Sequence, residues 1–197
     1  NIVLGLILVG LAMYILISPR LSFVIILGIP FSFVIALLFI EIMGYSLNMV
    51  SMMAMLIALG IVVDDAIIIS ENIQRYLDDG YKINDAVLKG TKQMIAPVII
   101  AGLTTIFAFL PMLFISGEMG LLMKLIPIII SCLIISSILE SFLFLPLHSK
   151  QILKANEKQL DWTKLYNFYE TVLHKVIEYK KSFLITFFII SLFRLFL

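Results

Sequence analysis

The sequence has 197 residues, of which 62% are apolar and only 14% are charged, and its mean hydropathy is +1.14. Because soluble domains carry about 25% charged residues, this composition excludes an ordinary soluble domain and predicts a protein that crosses a lipid bilayer several times. The formal net charge of +1 argues against a nucleic-acid-binding protein, and the single cysteine, Cys132, cannot form a disulfide within the chain.

Five apolar stretches are long enough, or nearly long enough, to cross a bilayer as helices, because about 20 residues span the hydrocarbon. We predict these spans at residues 1–18, 21–41, 46–72, 95–116 and 121–147. The first is slightly short, and a further apolar run at 183–197 has only about 15 residues, so we expect it to begin a sixth span. Since both ends of the chain lie in apolar runs, we expect it to be a segment of a longer protein.

The segment between the third and fourth spans is polar, so we expect the third helix to leave the bilayer there. Asn84 then predicts the start of a short helix, because asparagine is a preferred N-cap residue. Lys89 and Lys92 suggest that this short helix lies at the membrane surface. We expect a separate fourth span after it, with Pro97 near its first turn, where proline is tolerated, and with a kink at Pro111.

Residues 150–181 differ from the apolar spans. Lysines recur along this segment, and apolar residues such as Leu165, Phe168 and Val172 recur at helical spacing. The pattern predicts an amphipathic helix that lies on the membrane surface, with Trp162 at the depth of the headgroups. The alternative is a helix that packs on a soluble partner domain.

Positive charges give the expected orientation, because cytoplasmic loops are enriched in lysine and arginine. Arg20, Arg75 and the lysine-rich segment lie on one side of the predicted bundle, whereas the loops at 42–48 and 116–120 carry no lysine or arginine. We therefore place the first side in the cytoplasm. The predicted fold is an all-α, polytopic transmembrane bundle of about five complete spans plus one partial span. It is divided into a transmembrane helix bundle (1–148), a cytoplasmic amphipathic surface helix (149–181) and the start of a further transmembrane helix (182–197).

Two adjacent acidic residues, Asp64 and Asp65, lie in the middle of the third span among apolar residues. A carboxylate at the centre of a membrane helix costs about 2.5 to 3.5 kcal/mol on insertion scales, and two neighbouring carboxylates resist ionising together. Such residues are typical of ion or proton paths that face other helices. Because adjacent helical residues point about 100° apart, we expect the two carboxyls to reach different neighbours. The structural alternative is that both only hydrogen-bond to helix backbones.

The acidic pair lies in a stretch that resembles a known family. Residues 60–73, with the sequence GIVVDDAIIISENI, resemble the fourth transmembrane helix of resistance–nodulation–division (RND) transporters, in the hydrophobe/amphiphile efflux branch of AcrB-type drug pumps. Residues 27–32, 109–120 and 140–148 resemble the third, fifth and sixth helices of that family. By this resemblance the chain covers helices 2–6, the cytoplasmic amphipathic helix and the start of helix 7.

The resemblance implies a function. It implies a homotrimeric, proton-coupled secondary transporter, not an enzyme, in the bacterial inner membrane, working with a periplasmic adaptor and an outer-membrane channel. Asp64 and Asp65 match the two proton-relay aspartates of the family, whose partners, a lysine and a polar residue, lie on helices ten and eleven and so outside this chain. Protons are the implied coupling ion, with no other cofactor. We expect protonation to break a carboxylate–lysine contact and let the helices shift.

Four alternatives remain beside proton-coupled drug efflux. A SecDF-like protein-export accessory carries a similar motif, but there the position that corresponds to Asp65 is typically occupied by a non-acidic residue. An aspartate at this position therefore argues for efflux. An RND metal exporter would use soft ligands, and Met49, Met52, Met53 and Met55 cluster in the third span. An intramembrane aspartyl protease needs two aspartates on different helices, and both lie on one helix here. A scaffold without transport activity would tolerate asparagine at both positions.

Glu140 is a weaker candidate. It lies near the predicted cytoplasmic end of the fifth span, among serines at 136, 137 and 141. Hydrogen bonding between helices, or a place near lipid headgroups, explains it more simply than an auxiliary role in proton entry.

The remaining residues of interest are two histidines, as possible metal ligands, and three glycines, as possible sites of helix contact. His148 and His174 have no second ligand at metal-binding spacing, so we expect no metal site. Gly28, Gly60 and Gly102 lie within predicted spans, where glycine most simply allows two helices to approach closely.

Overall fold

The computed structural model describes residues 2–155 and 163–180. Every regular element in these ranges is a helix, which confirms the predicted all-α fold. The predicted partial span at 183–197 and Trp162 lie outside the described residues.

Eight α-helices and two short irregular turns make up the described chain. The helices are α1 (Ile2–Leu16), α2 (Pro19–Ile42), α3 (Met49–Asp78), α4 (Ile83–Phe109), α5 (Glu118–Met123), α6 (Leu125–Leu139), α7 (Leu145–Ile152) and α8 (Thr163–Glu178). A 3₁₀ turn (Leu110–Phe114) follows α4, and a π-helical turn (Glu140–Phe144) joins α6 to α7.

Four helical segments are long and apolar enough to cross a membrane: Pro19–Ile42, Met49–Asp78, Ile83–Phe114 and Glu118–Ile152. They confirm four of the five predicted spans and a multi-pass membrane protein. The helix predicted at 1–18 is present as α1, but its 15 residues rise only about 22 Å at 1.5 Å per residue. That is short of the roughly 30 Å thickness of the hydrocarbon, so α1 does not form a complete span within the described residues.

Local capping sets where two of these helices begin. Ser18 accepts a hydrogen bond from the Leu21 amide at 3.3 Å, and Pro19 follows as the first helical residue. Asn48 and Ser51 form a reciprocal capping box, with each side chain accepting from the backbone N–H of the other residue at 2.9 and 2.6 Å. The third span therefore starts at residue 49 rather than at 46.

The connector before the fourth span differs from the prediction. The short helix expected at Asn84 and the separate span after it form one continuous helix, α4, whose N-cap is Lys82. Pro97 lies in its interior rather than near its first turn. Packing explains the continuity, because Gly90 lies against the backbone of Ile73 in α3 and holds the first half of α4 in register with that helix. The kink expected near Pro111 is instead a change to the 3₁₀ turn.

The buried core of the bundle forms two clusters, and α3 runs through both. One cluster contains Ala36, Ile40, Ala54, Ala58, Ile129, Ile130 and Leu133, and the other contains Val24, Ile25, Ile29, Ile69, Ile73 and Leu145. Val62 belongs to the first cluster and Ala66 to the second. The acidic pair therefore lies at the level where the two clusters meet.

The chain divides into two compact units, residues 1–159 and 160–197. The first contains α1 to α7, and α7 continues four residues past the predicted boundary at 148, to Ile152. The second contains α8, a 16-residue helix that covers about half of the predicted amphipathic segment. Its location on the membrane surface stays a prediction.

Candidate functional site

The two adjacent aspartates of α3 lie in different surroundings. Asp65 is buried, with 6% of its surface exposed. Asp64 is exposed on the outer side of α3. The helical rotation of about 100° per residue thus turns one carboxyl into the bundle and the other away from it.

Asp65 has a hydrogen-bond partner on another helix. The Ser137 hydroxyl of α6 donates to Asp65 Oδ2 at 3.0 Å and lies 3.4 Å from the Val62 carbonyl oxygen of α3. A hydroxyl can donate to an ionised carboxylate and can also accept from a neutral carboxylic acid. The contact is therefore compatible with either protonation state of Asp65, as a proton-exchanging group requires.

Sequence reasoning named Ser137 only as a neighbour of Glu140 and did not identify it as the partner of Asp65. The only sign of Ser137 in the sequence is that a hydroxyl stands in a largely apolar span. Two other serines of the same helix, Ser131 and Ser136, donate instead to carbonyls of their own helix, those of Pro127 and Cys132, at 2.6 and 2.7 Å. Residue type alone therefore does not distinguish the serine that meets the carboxyl.

Asp64 shares its face of α3 with apolar residues. Met53, Ile57 and Ile68 lie three or fewer turns away on the same side and are all exposed. A carboxyl in the middle of such a face is costly against lipid. A carboxyl at this position therefore favours contact with another helix over contact with lipid.

Glu140 is buried between helices. It is 1% exposed and lies in the π-helical turn, where Gly28 of α2 leaves room for its carboxyl group. Glu140 therefore lies between helices, and its level relative to the lipid headgroups stays a prediction. The close approach predicted at Gly28 is confirmed, and Gly102 likewise lies close to Ile134 and Ile138, whereas a Cβ at Gly60 would meet no atom within 4 Å.

The methionines of α3 do not form one surface. Met49, Met52 and Met53 are exposed, whereas Met55 is buried. In the described ranges no three His, Cys, Asp or Glu side chains converge in a way that could hold a metal ion. The exposed methionines at 49, 52 and 53 share one face of α3 at helical spacing, so a methionine relay for soft metals stays an alternative.

A polar network that the sequence did not predict joins the C-terminal part of α3 to α4. Asn72 Nδ2 donates to the Gly90 carbonyl at 2.8 Å and to Gln93 Oε1 at 3.2 Å. The same Gln93 oxygen accepts from Arg75 and from the Tyr76 hydroxyl, each at 3.1 Å. These contacts fasten the C-terminal part of α3 to α4. Hydrogen bonds therefore add to the apolar packing that holds this part of α3.

Comparison with known proteins gives consistent matches. The model of the AcrB/AcrD/AcrF family matches residues 1–197. The chain is 35% identical over 140 residues to the multidrug resistance protein MdtC of Escherichia coli O139:H28 and to MdtC of Shigella flexneri, and these alignments cover 71% of the chain. It is 30% identical over 175 residues, 85% of the chain, to an uncharacterized transporter of Haemophilus influenzae. The aligned regions make up 14% to 17% of the length of these relatives.

Proposed function

Because the chain belongs to the AcrB/AcrD/AcrF family of RND transporters, we propose that it is a membrane-domain segment of a proton-coupled, multidrug-type efflux transporter. In this proposal Asp64 and Asp65 bind and release the protons whose inward movement drives export. Family membership supports the efflux branch over the SecDF-like alternative. The name of MdtC, a multidrug resistance protein, supports drugs as the substrate class.

The observation that carries the proposal is the placement of Asp65. Its carboxyl is buried in the bundle and hydrogen-bonded to Ser137 of another helix. A carboxyl in the middle of a membrane helix is costly, and a chain tolerates that cost where the group serves the transport of charge. The hydroxyl partner supports this role because it can follow the carboxyl through a change in protonation.

The exposed Asp64 has a separate part in the proposal. It faces away from the described bundle, on the side where the remaining membrane helices of a complete transporter would pack. A cationic side chain of those helices would pair with the ionised carboxylate, and protonation would break that contact. Loss of the ion pair changes the contacts between α3 and those remaining helices, and this change is the electrostatic switch that couples proton movement to a shift of helices.

We further propose the setting in which this segment acts. The complete transporter is a homotrimer in the bacterial inner membrane, and it works with a periplasmic adaptor and an outer-membrane channel. The segment α8 lies on the cytoplasmic surface, in agreement with the distribution of lysine and arginine.

The test is made in the full-length transporter with Asp64→Asn and Asp65→Asn, measuring drug efflux and proton movement in membrane vesicles. Asparagine keeps the size of the side chain but cannot carry the proton, so each variant should lose at least ~100-fold of the proton-coupled rate. The matched control is Asp79→Asn, at an exposed aspartate just after the end of α3. Efflux that persists in both variants of the pair would show that they do not form the relay.

A further inference from the structure

A second carboxyl is packed into the bundle near the site. Glu140 is 1% exposed and lies in the π-helical turn between α6 and α7. A Cβ on Gly28 of α2 would come 2.6 Å from Glu140 Oε1 and 2.9 Å from Cδ, so the carboxyl group lies directly against the α2 backbone. π-helical turns inside α-helices often occur at functional sites, and here the turn places an acid between two packed helices.

The surroundings of this carboxyl contain several polar atoms that are buried without a partner. Among the described residues, Glu140 Oε1 has no hydrogen-bond partner, and the same holds for Ser32 Oγ, His148 Nδ1 and Ser149 Oγ, whereas the Ser141 hydroxyl lies beside the Glu140 carboxyl. Ser32 lies one turn from Gly28 on the same face of α2, and the others follow one another along the π turn and α7. About nine in ten buried polar groups are paired, so a group of unpaired atoms along two facing helices points to a function.

This polar group continues from the site already described. Ser137, which donates to Asp65 at 3.0 Å, precedes Glu140 by three residues, and helical residues three apart are neighbours on one face. Glu140 lies about 4.5 Å further along the helix axis at 1.5 Å per residue, toward the end that carries His148 and Lys150. That is the end predicted to lie in the cytoplasm.

We propose that Glu140 is a second proton-binding site, which exchanges a proton with Asp65 through Ser137 and forms the part of the path between the acidic pair and the cytoplasmic end of the bundle. This inference rests on the proposed function, because it needs Asp65 to carry protons.

The proposed step moves one proton and no electrons. Asp65 begins as the neutral acid and Glu140 as the carboxylate. In the structure the Ser137 hydroxyl donates to Asp65 Oδ2, so for the step it turns toward Glu140, about one helical turn further along the chain. It gives its proton to the Glu140 carboxylate and takes the proton of Asp65, so one O–H bond breaks on Asp65 and one forms on Glu140. The two carboxyls together keep a single negative charge throughout. The proton then leaves Glu140 past Ser141 and His148.

Few titratable groups of the described elements face Glu140. Asp65 of α3 and His148 of α7 are on its side of the bundle. The helix α2 has no titratable side chain between Arg20 and Glu41, and α6 contributes only the Cys132 thiol. Asp65 and Glu140 are therefore the pair of acids that the experiment follows.

The test uses the full-length transporter in proteoliposomes, with proton flux measured by a pH-sensitive dye and carboxyl protonation measured by infrared difference spectroscopy. Glu140→Gln keeps the shape of the neutral acid but cannot release a proton. It should lower proton flux at least tenfold and remove one carboxylic C=O signal from the difference spectrum. Glu140→Asp keeps a titrating group, so it should retain part of the flux and shift that signal in frequency. Ser131→Ala is the matched control on α6 and should leave both measurements unchanged.

Asp65→Asn, measured in parallel, separates this inference from the proposed function. Loss of flux in Asp65→Asn together with wild-type flux and spectrum in Glu140→Gln would mean that Glu140 is only a packed neutral group, and the proposed function would stand. Flux that survives in Asp65→Asn would overturn both. If Glu140→Gln does not reach the membrane, Glu140→Asp decides, and an unshifted C=O signal in that variant would overturn the assignment to Glu140.

Discussion

Gly90 of α4 lies directly against Ile73 of α3: a Cβ on Gly90 would come within 2.8 Å of Ile73 Cα and 2.9 Å of Ile73 Cγ1. Contacts this close require a residue without a side chain, and they bring the backbone of α4 onto α3 just beyond the acidic pair. The Asn72 side chain, next to Ile73, donates to the Gly90 carbonyl at the same point. The two helices are therefore joined at one place by both packing and a hydrogen bond.

Gly90→Ala should destabilise the protein because the added methyl group meets backbone atoms, which cannot move aside as the end of a side chain can. Overpacking of this kind costs about 1 to 3 kcal/mol. The measurement is thermal unfolding of the purified full-length transporter in detergent. Lys92→Ala, at an exposed position two residues further along α4, is the control and should leave the unfolding temperature nearly unchanged. Equal effects of the two substitutions would contradict the close contact at Gly90.

The hydrogen bonds between Asn72 and α4 give a second prediction. Asn72→Ala and Gln93→Ala each remove one side of the contact at 3.2 Å, so their effects should not add. A double-mutant cycle measured by chemical or thermal unfolding should give a coupling free energy of about 0.5 to 1.5 kcal/mol. The pair Asn72→Ala and Asn84→Ala is the control, because Asn84 lies at the start of α4, away from this contact. Additive effects in the first pair would show that the network contributes nothing to stability.

The helices could be predicted from the sequence largely because their signals are local. Apolar runs of sufficient length indicate α2 and α3 to within a few residues at their starts. The acidic pair also stands out locally, since a carboxyl in an apolar run is costly wherever the helix packs.

The features that the sequence did not predict depend on contacts between distant residues. Which aspartate is buried depends on Ser137, which is 72 residues away in the chain. The continuity of α4 through Pro97 depends on the contact of Gly90 with α3. The π-helical turn that buries Glu140 depends on space provided by Gly28 of another helix. None of these contacts produces a periodic pattern in the sequence.

Ser137→Ala should slow proton-coupled transport without abolishing it. The substitution removes the donor to Asp65 Oδ2, which is also the hydroxyl proposed to pass the proton to Glu140, but both carboxyls can still carry a proton and a water molecule can occupy the place of the hydroxyl. A net loss of about 1 to 1.5 kcal/mol per hydrogen bond corresponds to a roughly 5- to 13-fold lower rate. Drug efflux and proton flux should fall together in vesicles that contain equal amounts of transporter. Ser136→Ala is the control, because its hydroxyl donates within α6, and an equal loss in that variant would assign the effect to helix packing.

The contact between Gly28 and Glu140 predicts a rescue that other glycines should not show. Gly28→Ala places a methyl group where the Glu140 carboxyl lies, and because that carboxyl is fully buried, its displacement should cost about 1 to 3 kcal/mol. Adding Glu140→Ala removes the displaced group, so the double variant should regain part of the stability lost in Gly28→Ala. The matched control is Gly102→Ala, alone and combined with Glu140→Ala, because its methyl group would come within 3.0 Å of Ile134 and Ile138 instead. The measurement is thermal unfolding of these four variants. An equal rescue by Glu140→Ala at both glycines would mean that the effect comes from general loosening of the bundle and not from the contact at Gly28.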